Sequence, residues 1–332
     1  MIKSVALVVA AALVGSSEAC GTDYVRELKD YVASDAHREL RGDVLSGTYC
    51  DLTEQSPINL PALDSVVGLN PVQDIPAIEI EYAETDAESK MILENLGGTI
   101  EVVPEHTDIF IKNNSIAQMI GRGSDSGDTY QVAQFHFHWD SNFTGYGSEH
   151  YRGNAAYPIE MHIVTFNTKY DNISNALAQD DGLLVIGIFG STSETPNSEF
   201  DKIVTAIEDS DSFIEDDHVD LEEFSLEDMI AEIDLSKFDS YKGSLTTPNC
   251  NQVVSWVVMH DTLELSEEQI EVFQQAHKSE TELIAPNYRE LQDLNGRTIY
   301  RSQSAPSPAA ATRFSPVAVV LGLFAAVLAR PL

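Results

Sequence analysis

Positive charge is what this chain has least of. Its 332 residues hold 19 Lys and Arg against 54 Asp and Glu, a formal net charge of −35. A field of that sign repels phosphate backbones and anionic lipid surfaces, which excludes nucleic acid as a partner and electrostatic docking to a membrane. Nor does it attract a small anion, so any anion-handling site is a local feature working against the whole. Cysteine is almost absent: Cys20, Cys50 and Cys250 are all there is. No uninterrupted apolar run is long enough to cross a hydrocarbon core of about 30 Å as a helix. Between about Cys50 and Tyr300 no linker, repeat or low-complexity break appears, which argues for one domain.

The composition does supply material for a core, 43% of residues being hydrophobic. Both ends read as addresses. Lys3, the apolar run Val5 to Val14 and the small residues of Ser17-Glu18-Ala19 form a secretory leader over residues 1–19, with a short buried helix as the alternative. Residues 20–49 form an amino-terminal segment, and 50–302 the main folded domain. Residues 303–332 read as a polar spacer and an apolar tail, Val317 to Leu328. Twelve or so residues rise only about 18 Å as a helix, which favours a GPI-anchor signal over a weak or tilted spanning segment. Ser302 and Ser304 are candidate attachment points. The expected location is therefore the secretory pathway and then the cell surface or exterior, with lipid anchoring the only membrane contact. Sequons at Asn113, Asn142 and Asn172 agree. With Cys20 at the cleavage point, Cys50 and Cys250 remain to form a disulfide or to lie buried as free thiols.

The body is rich in strand patterns. Ala77 to Tyr82 and Gly98 to Val103 alternate, and Asp108 to Lys112, Tyr130 to Trp139, Ile159 to Phe166, Leu183 to Phe189 and Gln252 to Met259 read alike. Helices are expected at Ser198 to Ile207 and from Ser266 to Lys278, the second opening with a capping-box Ser and Gln. Many strands and few helices predict an α+β, mainly β, fold: a large sheet with short flanking helices. From Glu208 to Glu232 there are twelve acids and no Lys or Arg. Phe213 and Ile214 spoil a calcium-loop spacing, so a solvated acidic surface loop is expected.

Chemistry concentrates in Gln134-Phe135-His136-Phe137-His138-Trp139. Residues two apart on a strand share a face about 6.5 Å apart, close enough for two imidazoles to converge on one ion. Alone, such a pair is more often two half-buried strand histidines. Glu160-Met161-His162 adds a third histidine on a neighbouring strand pattern, and three histidines leave a fourth zinc position for water. Gln134 and Glu160 each precede a histidine by two residues, so each shares its face and can receive its other ring N–H.

At this point the chain resembles the alpha-carbonic-anhydrase family, over roughly Cys50 to Ser302. The likeness rests on Gln55 to Leu60, Gln134 to Asp140, Gly147 to His150, Glu160 to His162, Gly182 to Phe189, Gly243 to Pro248, Asn287 to Arg289 and Leu294 to Arg297. It implies a large twisted, mostly antiparallel sheet and reversible hydration of carbon dioxide to bicarbonate and a proton by a zinc-bound hydroxide, a lyase activity. His136, His138 and His162 match the zinc ligands; Gln134, Glu160 and Asn287 match their supports. Thr246 and Glu149 match the pair that orients the hydroxide, while His150 looks structural. Val164, Val185, Leu245, Thr247, Val254 and Trp256 match the wall of the substrate pocket, and Cys50–Cys250 the disulfide of secreted members. The chain departs from the pattern at Gly98, where fast relatives carry a proton-shuttling histidine. It departs again at Asp239 and Glu290, where they carry an aromatic and a proline. The last two put local packing in question.

Overall fold

The computed structural model describes residues 49–73, 77–83, 88–112, 115–122, 128–142, 145–210 and 213–303. The leader, the segment up to residue 48, Asn113 and the chain from residue 304 onward lie outside the described residues.

A mixed sheet of 13 strands forms the body. Its main path runs His218–Leu221, Lys90–Asn95, Ile100–Glu105, Thr129–Trp139, Ile159–Asn167, Leu183–Thr192, Val254–Met259, Phe238–Gly243, Ile299–Gln303, Leu69–Gln73. Leu263–Leu265 adds to Leu183–Thr192; Ile109–Lys112 adds to Thr129–Trp139 and carries Glu79–Tyr82. Antiparallel joins dominate. The parallel ones in this sheet join Leu183–Thr192 to Val254–Met259 and to Leu263–Leu265, and Ile299–Gln303 to Leu69–Gln73.

Alternation along the central strands sorts the side chains. Phe135, Phe137 and Trp139 are fully buried on one face, in a cluster with Ile163, Leu184 and Ile186. The amphipathic helices Phe200–Glu208 and Glu267–Gln274 close that face. Phe137 meets Phe200 and Phe273 at ring distances of 5.6 and 5.0 Å. Each such ring contributes on the order of 2–3 kcal/mol by leaving water. The intervening residues, Gln134, His136 and His138, point to the opposite face, beside a second apolar cluster that holds Val164, Val185, Val254 and Trp256.

Three expectations need correction. The capping box of Ser266 and Gln269 is formed, but the helix it opens ends at Gln274, and His277–Ser279 pairs as a short strand with Glu282–Leu283. Ile270 and Phe273 already seat the helix on the core, and beyond Gln275 the chain turns back toward the sheet. The acidic stretch is not simply a solvated loop. His218–Leu221 is the sheet's edge strand, and Phe213, Leu221, Leu226, Met229 and Ile230 are buried beneath its acids. Apolar residues spaced among carboxylates carried the structure. Asp239 is fully buried, yet its packing is complete: Arg152, Arg301 and His260 all bond to its carboxylate. Glu290 is exposed, so its charge stays in solvent.

Candidate metal centre

The register of the two central strands assembles the site. His136 stands directly opposite His162, and His138 opposite Glu160. His136 Nε2 lies 3.1 Å from His138 Nε2, which lies 3.1 Å from His162 Nδ1. All three side chains are buried. Four tetrahedral zinc ligands at about 2.0–2.1 Å sit about 3.3–3.4 Å apart, so three of the four corners are in place.

The outward nitrogens decide what the inward ones can do. His136 Nδ1 faces Gln134 Oε1 at 2.9 Å, His138 Nδ1 the main-chain oxygen of Asn287 at 2.9 Å, and His162 Nε2 Glu160 Oε1 at 2.8 Å. A carbonyl and a carboxylate can only accept, so each ring donates outward and turns a bare lone pair inward. Three converging lone pairs cannot hydrogen-bond one another. Burial also drives His162 toward its neutral form, against the pull of the Glu160 carboxylate.

Glu149 adds a fourth acceptor. It is buried; Oε1 takes the Arg289 N–H at 2.8 Å, while Oε2 lies 3.5 Å from His138 Nε2 and 3.9 Å from His162 Nδ1 and accepts no hydrogen bond. The bond from Thr246 implied by the resemblance is therefore not made, because Oε2 turns toward the ring nitrogens instead. An orphaned carboxylate oxygen beside three lone pairs makes a buried point rich in electron density, which favours a cation there.

The supports are themselves supported. Glu160 is fully buried and accepts from His162, from the His150 ring at 2.7 Å and from the His150 main-chain N–H at 2.7 Å. Burial opposes its charge, but His150 and His162 outweigh that and hold its carboxyl well below the usual range. His150 passes on to Tyr241 at 2.6 Å, and Tyr241 to Ser56 at 2.8 Å. Gly147 makes this possible: a Cβ there would stand 1.9 Å from the Pro158 oxygen, so only glycine lets Glu149 and His150 approach the strand. The Asn287 side chain fixes the strand end, accepting from Trp139 N at 2.7 Å and donating to the oxygens of Phe137 and Gly98.

Beside the cluster, Val164, Val185, Val254 and Trp256 form an apolar wall, and the Trp256 ring lies 4.8 Å from that of His162. Leu245, Thr246 and Thr247 are half-buried in the loop that follows Gly243. Cys50 and Cys250 are disulfide-bonded, with Cα atoms 4.9 Å apart, which resolves the free-thiol alternative and pins that loop's end. The residues that the structure brings together in the inner cluster, His136, His138, His162 and Glu149, are all ones that the sequence singled out. Sequence reasoning missed Arg289 as the donor to Glu149 and Tyr241 behind His150, and its only signal for them was the motif blocks in which Arg289 and Ser56 stand.

Comparison with known proteins agrees. Residues 45–303 match the family model described as eukaryotic-type carbonic anhydrase. Carbonic anhydrase 6 of Bos taurus is 31% identical over 256 residues, 75% of this chain and 73% of its own length. The mitochondrial carbonic anhydrase 5A of Rattus norvegicus is 30% identical over 262 residues, 76% and 78% of the two chains. Carbonic anhydrase 1 of Oryctolagus cuniculus is 28% identical over 240 residues, 69% and 97%.

Proposed function

The chain belongs to the eukaryotic-type carbonic anhydrase family, and from that premise we propose that it catalyses the reversible hydration of carbon dioxide, with zinc held by His136, His138 and His162. The observation that carries this reading is the convergence of three bare ring lone pairs and one orphaned carboxylate oxygen on a single buried point. Zinc there would supply hydroxide at neutral pH by lowering the pKa of water to about 7, an effect for which carbonic anhydrase is the standard example.

The chain's own residues do the rest. Gln134, Asn287 and Glu160 fix the ring tautomers, so that no proton competes for the inward nitrogens. Val164, Val185, Val254 and Trp256 offer a dry surface to a neutral, apolar substrate, with Leu245 and Thr247 at the open side. Thr246 orients the nucleophile through Glu149, a bond it makes once the carboxylate swings away from the rings. Each turnover also discharges a proton. Recapture at about 10¹⁰ M⁻¹s⁻¹ and about 10⁻⁷ M protons limit unaided release to about 10³ s⁻¹ at pH 7. With Gly98 carrying no side chain to assist, buffer carries the proton.

The leader, the disulfide and the sequons support an oxidising secretory route for the enzyme. Asn142 is exposed, and Asn172 caps the helix Ile173–Ala176 with Oδ1, which leaves Nδ2, the glycan-bearing atom, uncommitted. Among the described residues no helix is long and apolar enough to cross a membrane. Surface attachment would come from the residue 303–332 tail as a GPI signal, and mass analysis of the mature carboxyl terminus tests it. Zinc analysis with stopped-flow hydration, before and after chelation, tests the chemistry. A metal-loaded protein that leaves carbon dioxide untouched overturns the reading.

A further inference from the structure

With 54 acids in the chain, a cation without a carboxylate is the exception. Lys90, Lys169 and Arg301 each sit on one or more acids. Lys242 and Arg297 line one cavity of about 340 Å³ away from the metal centre, and among the described residues neither forms an ion pair. Arg297 bonds only main-chain oxygens, those of Leu294, Lys242 and Asp293 at 2.9, 2.9 and 2.8 Å. A guanidinium has five N–H groups, so two remain. Among the described residues Lys242 Nζ makes no hydrogen bond, and it passes over Gly121.

The rest of the lining donates as well. Thr53 and Tyr300 bring hydroxyls, and the single carboxylate of the lining, Glu54, lies 3.7 Å from the buried Arg122 and is shared between its charge and that of Arg297, so one carboxylate faces three cations here, Arg122, Lys242 and Arg297. Behind the cavity, Arg122 Nε is buried without a partner. So is the hydroxyl of Ser255, which stands directly opposite Lys242 on the neighbouring strand. Unspent donors thus gather at one spot in an otherwise acidic molecule.

We infer that this cavity binds a small oxyanion, bicarbonate or inorganic phosphate, between Lys242 and Arg297. The two N–H groups left on Arg297, one on each terminal nitrogen, can donate to the anion, the Lys242 ammonium neutralises its charge, and the hydroxyls supply further donors. The site is separate from the metal, but Lys242 directly precedes Gly243, whose oxygen accepts from Arg122 Nη2, and so leads into the Thr246 loop.

The test uses the zinc-loaded protein with its metal blocked by a sulfonamide, so that anion binding there is removed. Inorganic phosphate and bicarbonate are titrated in turn by calorimetry at fixed chloride and ionic strength. One saturable site per chain is expected, weakened about tenfold or more in Lys242→Gln and retained in Lys242→Arg. Bicarbonate that displaces phosphate assigns the site to the reaction's own product; phosphate held against bicarbonate assigns it to phosphate. Binding of neither, unsaturable binding, or equal binding to wild type and Lys242→Gln overturns the inference. Lys242 is half-buried at the cavity wall, and an unchanged thermal midpoint in Lys242→Gln confirms that a loss is not misfolding.

Discussion

Glu160→Gln separates the tautomer argument from the mere presence of histidines. The carboxylate is fully buried and accepts three hydrogen bonds: from His162 Nε2 at 2.8 Å, His150 Nδ1 at 2.7 Å and His150 N at 2.7 Å. Oε1 takes both rings and Oε2 the main chain. A glutamine is the same size but brings one acceptor and one donor. With its oxygen toward the rings, its NH₂ meets the His150 N–H, and two buried donors confront each other at a cost of about 1–3 kcal/mol. With its NH₂ toward the rings, His162 must move its proton to Nδ1, the nitrogen that faces the metal position. The first orientation keeps the inward lone pair but strains its support, and the second removes it. Loss of such a support weakens metal binding by about 10–100-fold, or about 1.4–2.7 kcal/mol. Competition with a graded zinc chelator measures this without reference to activity, and a thermal melt of each metal-free protein reports the hydrogen-bond cost. A Glu160→Gln protein that holds zinc as tightly as wild type would refute the reasoning, because ring orientation would then not depend on the carboxylate.

Gly98→His should flatten the dependence of turnover on buffer concentration; unlike Gly97 at φ 69°, Gly98 is not in the left-handed region, so its backbone does not demand glycine. A wild-type rate well above about 10³ s⁻¹ at low buffer speaks against the proton-release limit. Cys50→Ser opens a loop of 200 residues and should lower stability by up to about 5 kcal/mol in the chain-entropy account, read from denaturant midpoints; no change on reduction would contradict it. Burial by itself would raise the Asp239 carboxyl, but its bonds from Arg301 and His260 and the charge of Arg152 hold it below the usual carboxylate range. Its stabilisation is therefore present above the unfolded pKa of about 3.9 and lost as pH falls through the folded value, so Asp239→Asn should remove part of the acid-unfolding slope below about pH 4. Leaving Arg152 and Arg301 buried without their anion should also cost about 3–5 kcal/mol at neutral pH.

What the sequence made legible follows one rule: the informative segments are those whose partners lie two residues away. Alternation along Thr129–Trp139 separated Phe135 and Phe137 from His136 and His138, and the same count put Gln134 and Glu160 beside their rings. Capping was legible for a similar reason, since Ser266 and Gln269 are three apart. The strand Phe238–Gly243 escaped notice because it does not alternate. Asp239 and Ser240 are as buried as Phe238 and Tyr241. A buried Asp is tolerable only because Arg152 and Arg301 reach it from 87 and 62 residues away, a compensation that no local window contains. His218–Leu221 was hidden the other way: the acids around it give the look of a loop, while its own acid, Asp220, pairs with Lys90 on the neighbouring strand.

The same distinction divides the metal centre. Two ring tautomers are set by side chains at i−2, and those can be named from the sequence. The third is set by the main-chain oxygen of Asn287, 149 residues on, and every residue has such an oxygen. What marks Asn287 is its side chain, whose three hydrogen bonds hold the chain against Phe137, Trp139 and Gly98, so that the oxygen arrives under His138. Asn287→Ala should therefore weaken zinc binding though it deletes no atom that touches a ligand ring. Asn287→Asp should be intermediate, keeping the acceptor for Trp139 N but losing both donations. If both variants bind zinc like wild type, the carbonyl is held by the backbone alone and the side chain serves only the strand end.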